Sequence, residues 1–263
     1  MKKLMKNSVF RVLIIIAGNF SLGVFLFTYI IPNSLSSSFT IWLTIALFAV
    51  FMLVFTITML CEICYDEASK HLVISADLKK AYEWMMRMKK LDVLGWYKDR
   101  YHVFLTIYYR DSVMMEELEK LLEDKNFHEN QSMELVYHYN KFIVSIYNND
   151  EELVNASYNK ITDIYTENIG KKNSRTALIY SLPMINAELH YYFKRYKKAN
   201  IALKNVNTAK SNKRELAHYY YLKACVLFHN GNKAESGKNI ELASEVYPQG
   251  QFIKELGVEG RYA

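Results

Sequence analysis

The chain has 263 residues, of which 51% are hydrophobic, and its formal net charge is +6. Three cysteines are too few for the disulfide framework that supports small extracellular domains, and only three prolines are present, which favours long helices. The first 61 residues carry four basic groups and no acid, whereas the remainder is mostly polar. The N-terminal segment is therefore expected to differ in kind from the rest of the chain.

Two uncharged apolar stretches, at about 12–31 and 39–60, predict a transmembrane hairpin within residues 1–65. A helix of about 20 residues crosses a hydrocarbon core of roughly 30 Å. The connection 32–38 contains proline and serine, which end one helix and begin the next. A secretory signal peptide is the alternative for the first stretch, but its apolar run is longer than about 15 residues and no A-x-A site follows.

Basic residues flank both stretches on the outer sides of the hairpin and are absent from its loop. They are Lys2, Lys3, Lys6, Arg11, Lys70, Lys79 and Lys80. By the positive-inside rule, both termini should lie in the cytoplasm, which predicts an integral protein of the cell membrane with two spans. The abundance of lysine, asparagine, isoleucine and tyrosine favours a bacterial inner membrane.

Small residues of the first span are expected to pack against small residues of the second, or against another membrane protein. The predicted packing residues are Ala17, Gly18, Ser21, Ala46 and Ala49. Neither span carries an ionisable side chain, which argues against transport and favours an anchor.

Residues 66–95 are expected to form a juxtamembrane junction and a leading helix at about 78–90, with no structure assigned to 62–76. Cys61 and Cys64 lie three residues apart at the end of the second span. A zinc site would need two further ligands, and no second Cys or Cys/His pair follows at suitable spacing. Packing at the membrane boundary is the simpler interpretation.

Residues 96–250 show apolar positions at helical spacing, interrupted by short polar breaks such as Arg110-Asp111 and 148–150. This pattern predicts an all-α domain of four antiparallel helix pairs, followed by a tail at 251–263. The predicted pairs are 96–109 with 113–124, 133–147 with 151–166, 175–193 with 196–208, and 214–229 with 233–246.

The last pair resembles a tetratricopeptide repeat when Gly231 is set at the turn of that motif. Small, aromatic and apolar residues then fall at the expected positions, namely Tyr220, Ala224, Ser236, Ile240, Ala243 and Pro248. Lys223 and Leu227 depart from the motif, and the preceding pair keeps only Ala187, Tyr196, Ala199 and Leu203. The resemblance implies a degenerate α-solenoid that binds a protein or peptide on the concave surface of its first helices.

On that surface we expect the partner-binding residues to be polar and aromatic. The candidates are Tyr180, Asn186, Tyr219, Lys223 and Asn230, with Lys194 and Lys198 nearby. The tyrosines could equally belong to the core.

The charge is separated along the helical domain. Residues 111–170 have a net charge of −9, whereas residues 171–214 carry eleven basic groups and a single acid, Glu188. This basic block could stabilise contacts between helix pairs, recognise an acidic peptide, or bind anionic lipid or nucleic acid. Nucleic acid is the least favoured, because no recognised motif accompanies Tyr191, Tyr192, Phe193 and Tyr196, which could otherwise stack on bases.

Catalytic signatures are missing from the sequence. No nucleotide-binding glycine motif, zinc-protease motif or nucleophile elbow occurs, and the seven histidines are scattered. We therefore expect no enzyme activity, no cofactor and no metal. The predicted function is a membrane-anchored cytoplasmic scaffold or adaptor. The alternative is an accessory or regulatory subunit that docks on a larger membrane complex through its spans.

Overall fold

The computed structural model describes residues 8–25, 27–28, 38–128, 131–168 and 180–250. All regular structure within these residues is helical, with no strand, which confirms the predicted all-α class. The chain divides into two compact units. One contains the described residues within 1–69 together with 83–97, and the other contains 70–82 and the described residues from 98 onwards.

Between residues 78 and 250 most helices begin and end within two residues of the predicted bounds. The third pair is shorter, at 182–192 and 196–204 instead of 175–193 and 196–208, and the helix of the second apolar stretch continues to Lys70. The helices are α1 (Ser8–Phe25), α2 (Ser38–Lys70), α3 (Leu78–Leu91), α4 (Lys98–Asp111), α5 (Met115–Leu122), α6 (Gln131–Tyr147), α7 (Glu151–Asn168), α8 (Leu182–Tyr192), α9 (Tyr196–Lys204), α10 (Lys213–His229) and α11 (Lys233–Val246). Short 3-10 turns at Lys125–His128 and Thr208–Lys210 separate some of them. Residues 175–179 of the predicted third pair and the tail 251–263 lie outside the described residues.

Within the described residues, one apolar stretch, Ile41–Ser75, is long and apolar enough to cross a membrane. It includes the predicted second span. A helix of 33 residues, such as α2, is about 50 Å long, so only part of α2 is needed to cross a core of about 30 Å. The described apolar part of α1, Ile16–Phe25, is shorter than a span. The hairpin loop and the N-terminal lysines lie outside the described residues. Two spans and cytoplasmic termini therefore stay predictions.

The contact between α1 and α2 includes a polar interaction, in which the amide of Asn19 donates a hydrogen bond to Thr56 Oγ1 over 3.3 Å. A Cβ atom added to Gly18 would meet no other atom within 4 Å, so no described helix approaches closely there. Four of the other predicted packing residues, Ala17, Ser21, Ala46 and Ala49, are exposed. Their packing role stays a prediction.

Residues 62–76, to which no structure could be assigned from sequence, continue the second apolar helix. After Lys70 the chain forms one π-helical turn, His71–Ser75, and Ala76 then adopts a left-handed conformation with φ 53°. Asp77 begins α3 by accepting a hydrogen bond from the Lys80 N–H over 3.0 Å. In the first unit, the buried thiols of Cys61 and Cys64 are free, and Cys61 contacts the carbonyl of Met88.

The four helix pairs of the second unit are α4–α5, α6–α7, α8–α9 and α10–α11, and they share one turn geometry. Each turn contains a residue with positive φ: Val113, Asn149, Lys194 or Gly231. The N–H of this residue donates to the carbonyl three residues before it. The N–H of the following residue donates to the carbonyl five residues before that residue, and all these distances are 2.8–3.1 Å. This is the Schellman arrangement, which satisfies the last carbonyls of the first helix and reverses the chain.

A second shared feature lies where the two helices of each pair meet. The residue seven positions before the turn residue and the residue five positions after it are buried in every pair. These residues are Thr106 and Leu118, Phe142 and Val154, Ala187 and Ala199, and Ala224 and Ser236. In the last pair the helices approach closely enough for the Ser236 hydroxyl to donate to the Ala224 carbonyl over 2.8 Å. Small residues thus occupy this contact in two pairs and larger ones in the other two.

Candidate functional site

A cavity of about 580 Å³ lies in the second unit, and the first helix of every pair contributes to its wall. α4 supplies Arg110, α6 supplies Tyr139, α8 supplies Glu188 and α10 supplies His218. The rest of the lining is largely apolar and aromatic, with six tyrosines and two methionines among its residues. Four helices that are distant in sequence therefore converge on one cavity.

Behind this wall lies a buried ionic cluster centred on Asp111, the last residue of α4, which is fully buried. One carboxylate oxygen lies 3.3 Å from the Arg214 guanidinium and 3.0 Å from Nε2 of His218. The other oxygen accepts a hydrogen bond from the Tyr247 hydroxyl over 3.2 Å. Asp111 therefore links the end of α4 to α10 and to Tyr247, the residue that follows α11.

Burial and the neighbouring charged groups set the protonation states of the residues in this cluster. Burial alone would raise the pKa of Asp111, but the charge of Arg214 and the bond with His218 outweigh it and hold that pKa well below its usual range. Burial lowers the pKa of His218 despite the nearby carboxylate. His218 is therefore neutral at pH 7 and donates its Nε2–H to Asp111, because an ionised carboxylate can only accept.

Arg110 precedes Asp111 and is 5% exposed, which is unusual for a residue whose charge is permanent. Its guanidinium carbon lies 5.1 Å from the ring centroid of Tyr139 and 5.8 Å from that of Tyr180, and one terminal nitrogen donates to Asn140 over 3.5 Å. The Nε atom is buried and has no hydrogen-bond acceptor. Its distance of 3.8 Å from Asp111 is too long for a hydrogen bond.

Glu188 is the acidic group of the cavity wall. Its Oε1 accepts a hydrogen bond from the Tyr139 hydroxyl over 3.3 Å, whereas Oε2 is buried without a hydrogen-bond partner. Burial raises the pKa of Glu188 to about 7, although the charge of Arg110 and the Tyr139 hydrogen bond act in the opposite direction. At neutral pH the carboxyl group therefore exists in both protonation states.

The cluster carries positive charge, and the thiol in the cavity wall is a weak nucleophile. With Glu188 protonated, Arg110 and Arg214 face the single charge of Asp111, so the cluster carries one excess positive charge. Burial raises the pKa of the Cys225 thiol in the cavity wall to about 11, which keeps it protonated and weakly nucleophilic. Among the described residues, no group of three His, Cys, Asp or Glu side chains could hold a metal ion.

The seven predicted partner-binding residues are distributed over several surfaces. Lys194 lines the cavity, and Tyr180 stacks on Tyr139 with their ring centroids 3.9 Å apart. Asn186 and Lys198 line a separate pocket of about 280 Å³, where Asn186 also accepts a hydrogen bond from Tyr158.

The other three predicted residues belong to α10 and its end. Tyr219 packs in the cluster that contains Tyr191 and Leu222, and the ammonium of Lys223 lies 5.6 Å from the Tyr219 ring. The Asn230 side chain donates to the carbonyl of Val226 and so completes its own helix. The cavity therefore contains one of the seven directly.

Sequence reasoning missed the most informative residues of the site. Arg110-Asp111 was interpreted as a polar break between helices, and this interpretation is wrong: the two residues form the buried last turn of α4. Asp111 pairs with Arg214 and His218, more than 100 positions away, and Arg110 contacts Tyr139, Asn140 and Tyr180, none of which local pattern can indicate. Glu188 did leave a signal, as the one acid within the basic block.

The basic block has two different environments among its described members. Arg214 is buried and pairs with Asp111, so it stabilises a contact between the fourth and first helix pairs. Lys194, Arg195, Lys197, Lys198, Lys204 and Lys213 are exposed, and none has an ion pair with a described residue. Lys171, Lys172 and Arg175 lie outside the described residues.

No known protein family matches the chain, and neither a curated protein nor a solved structure matches it.

Proposed function

We propose that this chain is a membrane-anchored binding protein, whose helical domain captures a segment of a partner protein or peptide and holds it at the cytoplasmic face as a scaffold or adaptor. One observation carries the proposal: the first helices of all four pairs line one cavity, in which Arg110 and Glu188 each retain a buried polar atom without a partner. Buried polar atoms are nearly always hydrogen-bonded in native proteins. A ligand that displaces the neighbouring side chains slightly, and so reaches these buried atoms, would supply both missing partners.

The tetratricopeptide-like architecture is part of this proposal. It is supported by the turn geometry common to the four pairs and by the small buried residues Ala187, Ala199, Ala224 and Ser236 where helices meet. In repeat proteins of that kind the first helices form the concave binding surface. We infer that the cavity is this binding surface.

The contact between the first and fourth pairs limits what the cavity can accept. In an open repeat array each repeat contacts only its neighbours. Here Asp111 bonds to Arg214, His218 and Tyr247, which brings the two ends of the array together. The cavity volume of about 580 Å³ is in the range of roughly 300–1,000 Å³ typical of small-ligand pockets. A short segment fits such a volume, whereas a folded domain does not.

The lining favours an apolar or aromatic side chain accompanied by an acidic group. Tyrosines and methionines supply polarisable contacts that adapt to a ligand. Arg110 offers an N–H donor in a desolvated position, where a charge-assisted hydrogen bond to a carboxylate is strong. Lys194, an exposed lysine in the cavity wall, would attract an acidic segment before it enters.

The membrane anchor completes the proposed function. α2 supplies one span, and we infer that α1 continues into a second, with the basic flanks facing the cytoplasm. The domain that begins beyond α2 would then lie on the same side as its partner.

Filling the cavity tests this function. The Ile143→Trp variant places a larger side chain in the cavity wall, whereas Leu242→Trp places the same side chain on an exposed face of α11. Each chain is tagged, cross-linked in its own membrane, and compared for the partners recovered. We expect Leu242→Trp to match the unmodified chain and Ile143→Trp to lose the partners while keeping its melting temperature. Equal recovery from all three would contradict the proposal.

The accessory-subunit function is the alternative, and exchange of the two spans for an unrelated hairpin distinguishes it. If recognition lies in the cavity, the exchanged protein still captures the same cytoplasmic partner. Loss of capture, with the helical domain still folded and membrane-bound, would instead assign recognition to the spans.

A further inference from the structure

The segment between α3 and α4 exposes three large apolar side chains next to one another. Val93 is 81% exposed, Leu94 54% and Trp96 62%. Isolated apolar residues are common on protein surfaces, but a contiguous group usually marks an interaction site. We call residues 93–96 the apolar loop.

The exposure of the apolar loop is built into its backbone. The carboxylate of Asp92 accepts hydrogen bonds from the N–H groups of Trp96 and Tyr97, at 3.0 and 2.9 Å. Gly95 has a φ of +70°, a conformation that glycine adopts without steric cost. The loop is thus closed by its own hydrogen bonds in a form that turns its apolar side chains outward.

Tyr97 fixes the loop against the candidate membrane span. Its hydroxyl lies 3.2 Å from the carbonyl oxygen of Thr58 and 3.1 Å from Glu62 Oε1, and its ring is buried. Thr58 belongs to the uncharged apolar part of α2, and Glu62 is the first charged residue after it. Because about 20 helical residues cross the hydrocarbon core, a span that starts near Phe39 ends near Thr58. The apolar loop is therefore attached at the depth where the core meets the headgroups.

Basic residues accompany the loop in the same compact unit. Arg87, Lys89 and Lys90 are exposed near the end of α3, and the Arg87 guanidinium lies 4.5 Å from the Trp84 ring centroid. Tryptophan beside apolar residues and lysines is the composition of segments that bind at a membrane interface. The cytoplasmic leaflet carries anionic lipids, which attract such basic groups.

We propose that the apolar loop inserts into the headgroup and acyl boundary of an anionic bilayer, beside the membrane end of α2, and so forms a second contact with the membrane. This inference rests on the membrane anchoring in the proposed function, but it does not involve the cavity or its partner. Insertion removes Val93, Leu94 and Trp96 from water while the flanking cations remain at the lipid surface.

Tryptophan fluorescence tests the insertion, because the chain contains only Trp42, Trp84 and Trp96. The full chain is reconstituted into vesicles of phosphatidylcholine and phosphatidylglycerol, with or without brominated acyl chains, which quench tryptophan on contact. Comparing Trp42→Phe with the double variant W42F/W96F isolates the signal of Trp96 and leaves Trp84 unchanged. The double variant W84F/W96F retains Trp42 within α2 and reports on the anchor.

We expect the Trp96 signal to be quenched by brominated lipid and protected from aqueous acrylamide. Replacing both Val93 and Leu94 with serine should reduce the lipid quenching of Trp96, whereas the quenching of Trp42 should not change. If Trp42 is quenched by lipid but Trp96 is quenched only by acrylamide, the loop inference is overturned and the anchor stands. If neither is quenched by lipid, the anchoring itself is wrong and the inference falls with it.

Discussion

Replacing Asp111 with asparagine should destabilise the helical domain more than the same change at any exposed acidic residue. Asp111 is fully buried and lies 3.3 Å from Arg214 and 3.8 Å from Arg110. Asparagine keeps the shape but removes the charge, which leaves two buried guanidinium groups uncompensated. Removing one partner of a buried ion pair costs about 3–5 kcal/mol. A domain of this size changes its melting temperature by roughly 2–4 °C per kcal/mol, so the expected loss is about 6–20 °C.

The control is Asp163→Asn, an identical change at an exposed position of α7. A surface substitution changes the free energy of unfolding by about 0.5 kcal/mol or less, which is under about 2 °C. Pulse proteolysis of the full-length protein over a temperature series, with mass spectrometry of fragments from residues 98–250, measures the domain's own transition. If Asp111→Asn lowers the melting temperature of the domain no more than Asp163→Asn does, the reasoning is refuted.

A double variant and a pH series identify the charge as the cause. The double variant D111N/R214M should be more stable than D111N alone, because one uncompensated cation is removed together with the anion. The folded pKa of Asp111 lies below that of an unfolded aspartate, which is about 3.9. Its contribution to stability is therefore present above that pH and is lost as the pH falls below it. D111N should lack this part of the acid dependence.

The remaining predictions concern the cavity and the helix contacts. Glu188→Gln should raise the melting temperature at pH 8 but not at pH 4. The pKa of Glu188 is about 7 in the folded state and about 4.3 in the unfolded state, so its ionisation at pH 8 destabilises the folded state. An equal effect of the substitution at both pH values would contradict this. Arg110→Gln should lower the yield of cross-linked partner about tenfold or more, because losing a hydrogen bond to a charged group weakens binding by about that factor. Arg100→Gln, an exposed change on the same helix, should not. Ala187→Leu should cost about 1–3 kcal/mol by overpacking the contact with Ala199, whereas Ala234→Leu on an exposed face should cost little; equal melting temperatures would exclude the close approach at Ala187.

The helix turns show which features of the fold could be predicted from the sequence pattern. Asn149 and Gly231 stand at two of the four turns, and these residue types adopt positive φ with little strain, so both breaks were visible. Val113 and Lys194 adopt the same conformation without any such preference. Their backbone conformation is set by the packing of the helices on either side, and only the interruption of the apolar pattern indicated these turns.

The contacts within the pairs explain why the resemblance to a repeat was evident only near the C-terminus. Ala224 and Ser236 are small because their helices approach closely, and small residues at fixed spacing form a recognisable motif. In the second pair Phe142 and Val154 fill the same place. A larger side chain at this contact is compatible with the same turn but does not match the motif, so the second pair forms a similar helix pair without resembling the motif.

The cavity could not be predicted, because its groups belong to four helices that local pattern treats separately. Polar residues at a helix end usually mark a solvated turn, which is why Arg110 and Asp111 were assigned to a break. The buried charge of Asp111 is compensated by Arg214 and His218, which become its neighbours only when the fourth pair reaches the first. The lone acid Glu188 in a basic segment was the one sequence signal of a special environment.

Site-specific photo-crosslinking from the cavity tests the central claim most directly. A photoreactive amino acid replaces Ile143 in the cavity wall or Leu242 on the exposed face of α11, and the proteins are irradiated in their own membranes. We predict that a defined segment of a partner attaches at position 143, that Arg110→Gln abolishes this attachment, and that Arg100→Gln leaves it intact. No attachment at position 143, or equal attachment at positions 143 and 242, would contradict a binding function for the cavity.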